Sequence, residues 1–271
     1  MELVLLMQSK SPFDFQGISA YAKTGITSQE AAGDNAYYDF GIRAAHAFSD
    51  KLAIKANLSI LKGEDWHAVN TTDIANPGAD RSNPIYDGFN VYGDDFVITQ
   101  DLDAIAGFPS GTVGPISVTR TGYAERDLVD YGAESVKTDF SLFYRPFADD
   151  FEIIYQGRVG RGNTIYQGAN RYAVRNFILQ QHKIEFRNKN FFLRGYITSE
   201  NSGDSYDTRF AAINVNRRWK SDTQWFTDYA QAYIPAFLGA SQQGGLTREQ
   251  ASTQAHEAGR AAADTGRLTP G

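Results

Sequence analysis

Four histidines and several acidic residues are the side chains of this 271-residue sequence best suited to chemistry, and they form no known catalytic motif. No two histidines are four residues apart and no HExxH occurs, so a zinc-protease site has no support. The segment GRVGRGNT, residues 157–164, matches neither a dinucleotide-binding fingerprint nor a phosphate-binding loop, and GxSxG is absent. The sequence has no cysteine, which excludes a cysteine nucleophile and cysteine-ligated metals.

A pair of carboxylates that meet only in the folded chain, as in glycoside hydrolases, stays open because sequence spacing cannot reveal it. No two carboxylates stand out as such a pair. We therefore predict no catalytic residue, no enzyme activity and no cofactor.

One acidic segment, DGFNVYGDD, contains the candidates for a metal site. Its carboxylates are Asp87, Asp94 and Asp95. Hard oxygen ligands in a flexible loop suit calcium, although the spacing does not match an EF-hand. A solvated acidic loop without metal is the alternative.

A second segment, IYQGANRY, combines aromatic rings with amide and guanidinium donors in a connection between two predicted strands. Its candidates for ligand binding are Tyr166, Asn170, Arg171 and Tyr172. Such groups suit sugars or other polar ligands. Packing of the loop, or anchoring at a membrane interface, is the alternative.

Alternation of apolar and polar residues with a period of two is the main structural signal, and it indicates β-strands. Between residues 52 and 62, one face takes the apolar side chains Leu52, Ile54, Ala56, Leu58 and Ile60. The 18 Phe, 15 Tyr and 25 Gly residues also favour β structure. No apolar run reaches the roughly 18 residues that a membrane-spanning helix requires.

The connections between the predicted strands alternate in length. Tight turns are predicted near residues 50, 149 and 189, and longer connections at 28–35, 63–134 and 161–175. Predicted strands of about 9–11 residues, with short turns on one side and long loops on the other, are typical of outer-membrane barrels. The 63–134 connection is rich in aspartate and proline and is predicted to be a long polar loop.

The C-terminal part changes to a helical pattern. Apolar residues from Phe210 to Tyr233 predict an interrupted helix, and Thr247 with Gln250 forms a capping-box pattern before an alanine-rich helix. The net charge of −6 argues against a nucleic-acid partner.

Three long segments resemble the TonB-dependent outer-membrane receptors. They are GYAERDLVDYGAESVKTDFSLFYRP (122–146), IIYQGRVGRGNTIYQGANRYAVRNFILQQHKIEF (153–186) and FFLRGYITSENSGDSYDTRFAAINVNRRWKSD (191–222). The segment VLLMQSKSPF (4–13) is similar to the last strand of the plug domain of these receptors.

The resemblance implies an all-β fold, an antiparallel transmembrane β-barrel segment in the bacterial outer membrane. Residues 1–12 would end the plug domain, 13–199 would form about seven strands of a larger barrel with long extracellular loops, and 200–271 would be an extracellular loop with helices. Because about 22 strands close such a barrel, we expect a fragment of a longer receptor or a truncated gene product.

The same resemblance implies energy-coupled uptake of a bulky nutrient: a siderophore, a glycan or a peptide. The implied partners are outer-membrane lipid, the TonB complex acting through the plug, and a surface lipoprotein. Residues facing the lumen would include Lys55, Lys137, Arg145, Arg158 and Arg194, and of these Arg158 and Arg194 are candidates for ligand binding. A soluble β-rich module that binds carbohydrate is the alternative function.

Overall fold

The computed structural model describes residues 9–147, 150–242 and 245–268. In chain order its elements are β1 (Gly17–Gln29), β2 (Gly33–Ser49), β3 (Leu52–Glu64), β4 (Val91–Tyr92), β5 (Val97–Asp101), α1 (Leu102–Ala106), β6 (Pro115–Thr119), β7 (Tyr123–Ala124), β8 (Gly132–Tyr144), β9 (Glu152–Gln167), β10 (Arg171–Arg187), β11 (Phe192–Asn201), β12 (Tyr206–Asp207), α2 (Thr208–Trp219), α3 (Asp222–Gln242) and α4 (Arg248–Ala263). None of the helices in the described ranges is long and apolar enough to cross a membrane.

The chain divides into two compact units. The sheet unit contains the described residues up to 66 together with 131–166 and 172–205. The helical unit contains 67–130, 167–171 and the described residues from 206 onward. The sequence predicts three consecutive segments with boundaries at residues 12 and 199. Each compact unit instead combines several separate stretches of the chain. Most of the predicted plug segment, residues 1–8, lies outside the described residues.

The chain is mostly antiparallel sheet, and one large sheet of eight strands dominates it. Seven long strands follow the order β1-β2-β3-β8-β9-β10-β11, and the two-residue strand β12 is the eighth. Within the described ranges the outermost strands β1 and β11 do not pair with each other, so the sheet is not closed. The all-β prediction is therefore confirmed at the level of a predominantly antiparallel β-sheet.

The registers of the ladders show which side chains share a face, because residues directly opposite each other in an antiparallel pair point the same way. Ile42 lies opposite Leu58, and Leu58 lies opposite Thr138. One position along, Asn57 lies opposite Arg43 and Asp139. Every predicted member of the apolar face of β3 lies with Leu58. The alternation read from the sequence thus holds across the sheet.

We call the side that contains Leu58 the apolar face. Its large exposed members, on all seven long strands, include Ile18, Ile26, Tyr38, Phe40, Ile42, Leu52, Phe140, Tyr144, Tyr155, Val159, Ile184, Leu193 and Ile197. Tyr155 and His182 carry this face from β9 to β10, since their hydroxyl and Nδ1 atoms lie 2.8 Å apart. The opposite side, with Asn57, is the polar face.

Two connections are much shorter than predicted. β1 and β2 are joined by residues 30–32, and β9 and β10 by residues 168–170, so both are tight turns and the predicted loops at 28–35 and 161–175 are wrong. β1, β2, β3, β8, β9 and β10 are 13–17 residues long, beyond the predicted 9–11. The strand ends are polar, so their ladder hydrogen bonds continue where the hydrophobic pattern has stopped. Of the turn predicted near 149, residues 148–149 lie outside the described residues.

The long connection between β3 and β8 is not the unstructured loop that was predicted. It contains four short strands in two antiparallel pairs, β4 with β7 and β5 with β6, and the short helix α1. Its side chains Leu102, Val113, Ile116 and Val118 are buried in one core with residues of α3 and α4. This segment therefore folds as part of the helical unit.

The core of the helical unit is an aromatic column on α3. Trp225, Tyr229, Tyr233 and Phe237 follow each other at four-residue spacing, with ring centroids 5.4–5.9 Å apart. α4 presents small buried residues to this core, namely Ala251, Ala255, Gly259 and Ala263. The predicted capping box of Thr247 and Gln250 is confirmed, as are the helices themselves.

Two glycines test this packing. A Cβ on Gly259 would lie 3.1 Å from ring atoms and the carbonyl oxygen of Tyr229, whereas a Cβ on Gly239 of α3 would meet nothing within 4 Å. Gly259→Ala should therefore lower the free energy of unfolding by about 1 kcal/mol or more. Gly239→Ala should raise it by roughly 0.5–1 kcal/mol through helix propensity. Denaturant unfolding monitored by tryptophan fluorescence measures both, and a stabilised Gly259→Ala variant would contradict the close packing.

Candidate functional site

The polar face carries a dense group of charged side chains near the end of β8, the start of β9 and the end of β10. Glu152 begins β9 and is 5% exposed. Arg145 donates from Nε and Nη2 to its Oε1 at 2.9 and 2.6 Å. Arg187 donates in the same way to its Oε2, also at 2.9 and 2.6 Å. One buried carboxylate thus fixes two guanidinium groups from different strand ends, in the strongest class of protein hydrogen bond.

A second carboxylate, Glu185 on β10, organises the adjacent positions. Arg194 on β11 lies directly opposite it in the ladder and donates from Nε to Oε2 at 2.6 Å. Lys183, two residues before Glu185 and therefore on the same face, donates to that oxygen at 3.3 Å. Glu185 is 4% exposed. The positions of these cations are therefore set by the register of the ladder, not by the conformation of a loop.

Lys55 is the most buried cation of the polar face, at 2% exposed. Its Nζ donates to Ser9 Oγ at 2.6 Å and to the carbonyl oxygen of Lys10 at 3.0 Å. Phe15 follows Lys10 in the same segment, and its carbonyl oxygen accepts a hydrogen bond from Arg43 at 2.7 Å. The segment before β1 therefore lies on the polar face and is held there through the hydroxyl of Ser9 and two main-chain oxygens.

These groups surround a concave pocket of about 340 Å³ on the polar face, which we call the basic pocket. Its lining residues are Ser9, Lys55, Ser141, Phe143, Ile154, Gln156, Arg158, Gln181, Lys183, Glu185, Arg187, Arg194 and Tyr196. All of them belong to the sheet unit. The pocket has a small apolar base, where Phe143 and Ile154 pack with Ala53, and a predominantly cationic wall.

Two of the ligand-binding candidates from the sequence lie in this pocket. Arg158 and Arg194 both line it. Of the other residues expected to share their side, Lys137 lies opposite Ser59 and Gly160 on the polar face. Arg145 lies beyond the end of β8, bound to Glu152.

The other four candidates are not brought together as a site. Tyr166 and Tyr172 belong to β9 and β10 rather than to a loop, and their rings stack with centroids 6.1 Å apart. Asn170, in the turn, donates to Asp207 at 2.7 Å. Arg171 forms a bidentate pair with the fully buried Glu125, at 3.0 and 2.9 Å. Arg171 therefore serves the core of the helical unit, which corrects its assignment as a loop residue available to a ligand.

The calcium candidates do not form a metal site in the structure. Asp95 forms an ion pair with Arg209 at 2.9 Å, and Asp94 is 1% exposed and accepts a 3.4 Å hydrogen bond from the amide of Gly88. Nowhere in the described ranges do three or more acidic or histidine side chains have an arrangement that could hold a metal ion.

The sequence interpretation missed the two carboxylates that organise the pocket, and with them Lys183 and Arg187. The signal was present in HKIEFR, where Lys183, Glu185 and Arg187 alternate on one face. Gln180 and His182 interrupt the apolar side of that strand, so it resembles a weak strand until the register of its neighbours is known.

Comparison of the chain with protein-family models, with curated proteins and with solved structures finds no match. The kind of ligand that the basic pocket could bind is therefore inferred from the arrangement of its side chains. The pocket offers guanidinium, ammonium and amide donors in fixed positions. Such a set of donors is suited to binding a polar or anionic ligand.

The buried Asp94 yields a prediction on pH dependence. Burial raises the pKa of its carboxyl to about 7. A raised pKa contributes stability that is present below pH 4 and is lost as the pH rises through about 7. Because one pKa unit corresponds to about 1.4 kcal/mol, Asp94→Asn should be more stable than the wild type by roughly 2–4 kcal/mol at pH 8 and by little at pH 4.

Denaturant unfolding of both proteins at pH 4 and pH 8, followed by fluorescence of Trp219 and Trp225, measures this difference. Asp80→Asn is the control, because hydrogen bonds from Ser82 lower the pKa of that exposed carboxyl. An Asp94→Asn advantage that does not grow with pH would refute the buried charge as its cause.

Proposed function

We propose that this chain forms part of the β-barrel wall of a TonB-dependent outer-membrane receptor that takes up a bulky nutrient. The observation that carries the proposal is the apolar face. It extends over seven hydrogen-bonded strands, and its residues Ile18, Ile26 and Ile197 are 78%, 70% and 68% exposed. A soluble monomer rarely exposes an apolar surface of that extent.

The arrangement is the reverse of a water-soluble sheet. Here the charged residues Lys55, Glu152 and Glu185 are buried on the polar face, while the large aliphatic and aromatic side chains of the apolar face are exposed. A lipid bilayer makes this arrangement favourable, because hydrocarbon covers the apolar face while the ladder satisfies the backbone polar groups.

The dimensions of the apolar face also suit a bilayer. On β2, Tyr38 and Phe48 are 60% and 59% exposed. Tyr38 shares a face with the apolar residues through its partner Thr24, and Phe48 packs edge-on against His46 on that face. Ten residues of strand span about 33 Å, or about 25 Å along the membrane normal at a tilt near 40°. That is the height of the apolar band between the two aromatic girdles of outer-membrane barrels.

The open sheet supports the proposal that these seven long strands belong to a larger barrel. Exposed strand edges do not occur in the hydrocarbon region, so the free edges of β1 and β11 would pair with further strands. The polar face then lines the lumen, and the helical unit belongs to the extracellular side. No residue of this chain acts in catalysis under this proposal.

In the proposed receptor, the nutrient (a siderophore, a glycan or a peptide) is captured from outside the cell. TonB pulls on the plug domain to open a path along the polar face, and a surface lipoprotein is a further proposed partner. Outer-membrane lipid contacts the apolar face.

Cell fractionation tests the proposal most directly. An antibody against residues 67–130 should detect the protein in the outer-membrane fraction of the native source, and detergent should be needed to extract it. Recovery in the soluble fraction without detergent would overturn the receptor and leave a soluble binding module as the alternative.

A matched pair of variants tests the face assignment. Leu58 and Ser59 are neighbours on β3 and lie on opposite faces. Leu58→Glu should make insertion into phospholipid vesicles less favourable by roughly 1–3 kcal/mol, somewhat less than the cost of Arg or Lys at this position. Ser59→Glu, opposite Lys137 on the polar face, should have little effect.

Vesicle flotation over a series of denaturant concentrations reports both values. Equal losses for the two variants would count against a lipid-facing Leu58. If Leu58→Glu leaves insertion unchanged, the result would instead indicate that water covers the apolar face.

A further inference from the structure

We propose that the basic pocket binds an oligoanion, a ligand with two or more separated phosphate or carboxylate groups. The inference rests on the side chains of the polar face and goes beyond the proposed receptor function, since it names a ligand chemistry and a position on the wall.

The first argument is an excess of positive charge. The pocket is lined by the five cations Lys55, Arg158, Lys183, Arg187 and Arg194 against the single carboxylate Glu185. Adding the flanking Arg145, Glu152 and Asp139 leaves an excess of three positive charges. The chain as a whole has a net charge of −6, so this concentration is local. Such clustering in a concave site attracts anions.

The second argument is that several donors remain uncommitted. Among the described residues Arg158 has no hydrogen-bond or ion-pair partner, although its charge acts on Lys55. Arg194 uses only Nε, on Glu185, within that part of the chain. Its two terminal amino groups are available, and it is fixed in orientation by the carboxylate. A guanidinium held in this way is suited to phosphate or carboxylate oxygens.

The third argument selects an oligoanion over a single small anion. Arg158 lies on β9 and Arg194 on β11, with β10 between them. Adjacent strands are about 4.8 Å apart, so β9 and β11 lie about 10 Å apart across the sheet. The two arginines are also offset along the strands, since Arg194 lies opposite Glu185 whereas Gly157, next to Arg158, lies beside His182. A ligand with separated anionic groups can contact both arginines where they stand, whereas one phosphate or sulfate would require the two side chains to converge. The volume of about 340 Å³ is within the range of small-molecule sites.

Neutral groups extend the site between the cations. Gln156 on β9 and Gln181 on β10 line the same pocket and can donate amide hydrogens, and Tyr196 adds a hydroxyl. These residues give the anion further donors without adding charge. The ligand would therefore lie across β9, β10 and β11, against the apolar base formed with Phe143.

Isothermal titration calorimetry tests the site with the full chain in detergent micelles at low salt. Tripolyphosphate and tricarballylate serve as probes, with orthophosphate as the single-anion comparison. We expect saturable binding of one or both oligoanions at least tenfold tighter than orthophosphate. Arg158→Gln and Arg194→Gln should each weaken it by about tenfold or more, the loss of one charge-assisted contact.

Lys62→Gln is the control, because this lysine is 64% exposed, pairs with Glu134 and does not line the pocket. It should leave the affinity unchanged within about twofold, while Arg158→Lys should retain most of the binding because it keeps the charge. Far-UV circular dichroism verifies that each variant keeps its sheet. Should Arg194→Gln fail to fold, Arg158→Gln and Arg158→Lys still test the site, since no hydrogen bond or ion pair within the described ranges depends on Arg158.

Absence of binding by a folded chain, equal affinity for orthophosphate, or an equal loss in Lys62→Gln would each overturn the site. These outcomes are separate from the receptor proposal. A chain that inserts into lipid but binds no oligoanion refutes the pocket alone. A chain that binds tripolyphosphate yet fractionates as a soluble protein refutes the receptor alone.

Discussion

The structure depends most on the register of one continuous antiparallel ladder. The side-chain period of a strand is two, so a slip of one residue would transfer every side chain of that strand to the other face. The pairs Leu58–Thr138 and Asn57–Asp139 show the result, an apolar row beside a polar row. The register shift between Ala47 and Ser49 lies at the end of β2, beside the turn, where it disturbs neither face.

The register also explains how so many cations are tolerated on one face. Glu152 and Glu185 come from β9 and β10, and between them they bind Arg145, Lys183, Arg187 and Arg194. A buried charge is costly unless it is paired, so these carboxylates make the wall compatible with a folded sheet. They do not neutralise it, because in the described part of the chain neither Arg158 nor Lys55 forms an ion pair with a carboxylate, although Asp139 lies opposite Arg158 and its charge acts on Lys55. The remaining positive charge is therefore available to a ligand.

Sequence reasoning succeeded where one face of a strand is apolar and failed where neither is. The hairpin of β2 and β3 was predicted because only His46 breaks its alternation, and the capping box at Thr247 because its signal is local. The polar ends of β9 and β10 were taken for a loop, since ladder hydrogen bonds have no sequence signature there. Arg158 and Arg194 were placed on the same side as Lys55, but the pairing of Arg194 with Glu185 across two strands could not be read from sequence spacing. The burial of Arg171 on Glu125, 46 residues away, was equally hidden.

The long insertion between β3 and β8 shows why the wall can vary in its loops while keeping its register. β3 and β8 pair along 13 positions as neighbours, although residues 65–131 separate them. The ladder is extended at its end by the hydrogen bond from the amide of Asp65 to the carbonyl oxygen of Tyr131, at 2.8 Å. Loop-closure entropy grows only slowly with length, and the insertion buries its own apolar residues with α3 and α4. Its sequence can therefore change without altering the ladder, while the strands that flank it remain under the constraint of two opposite faces.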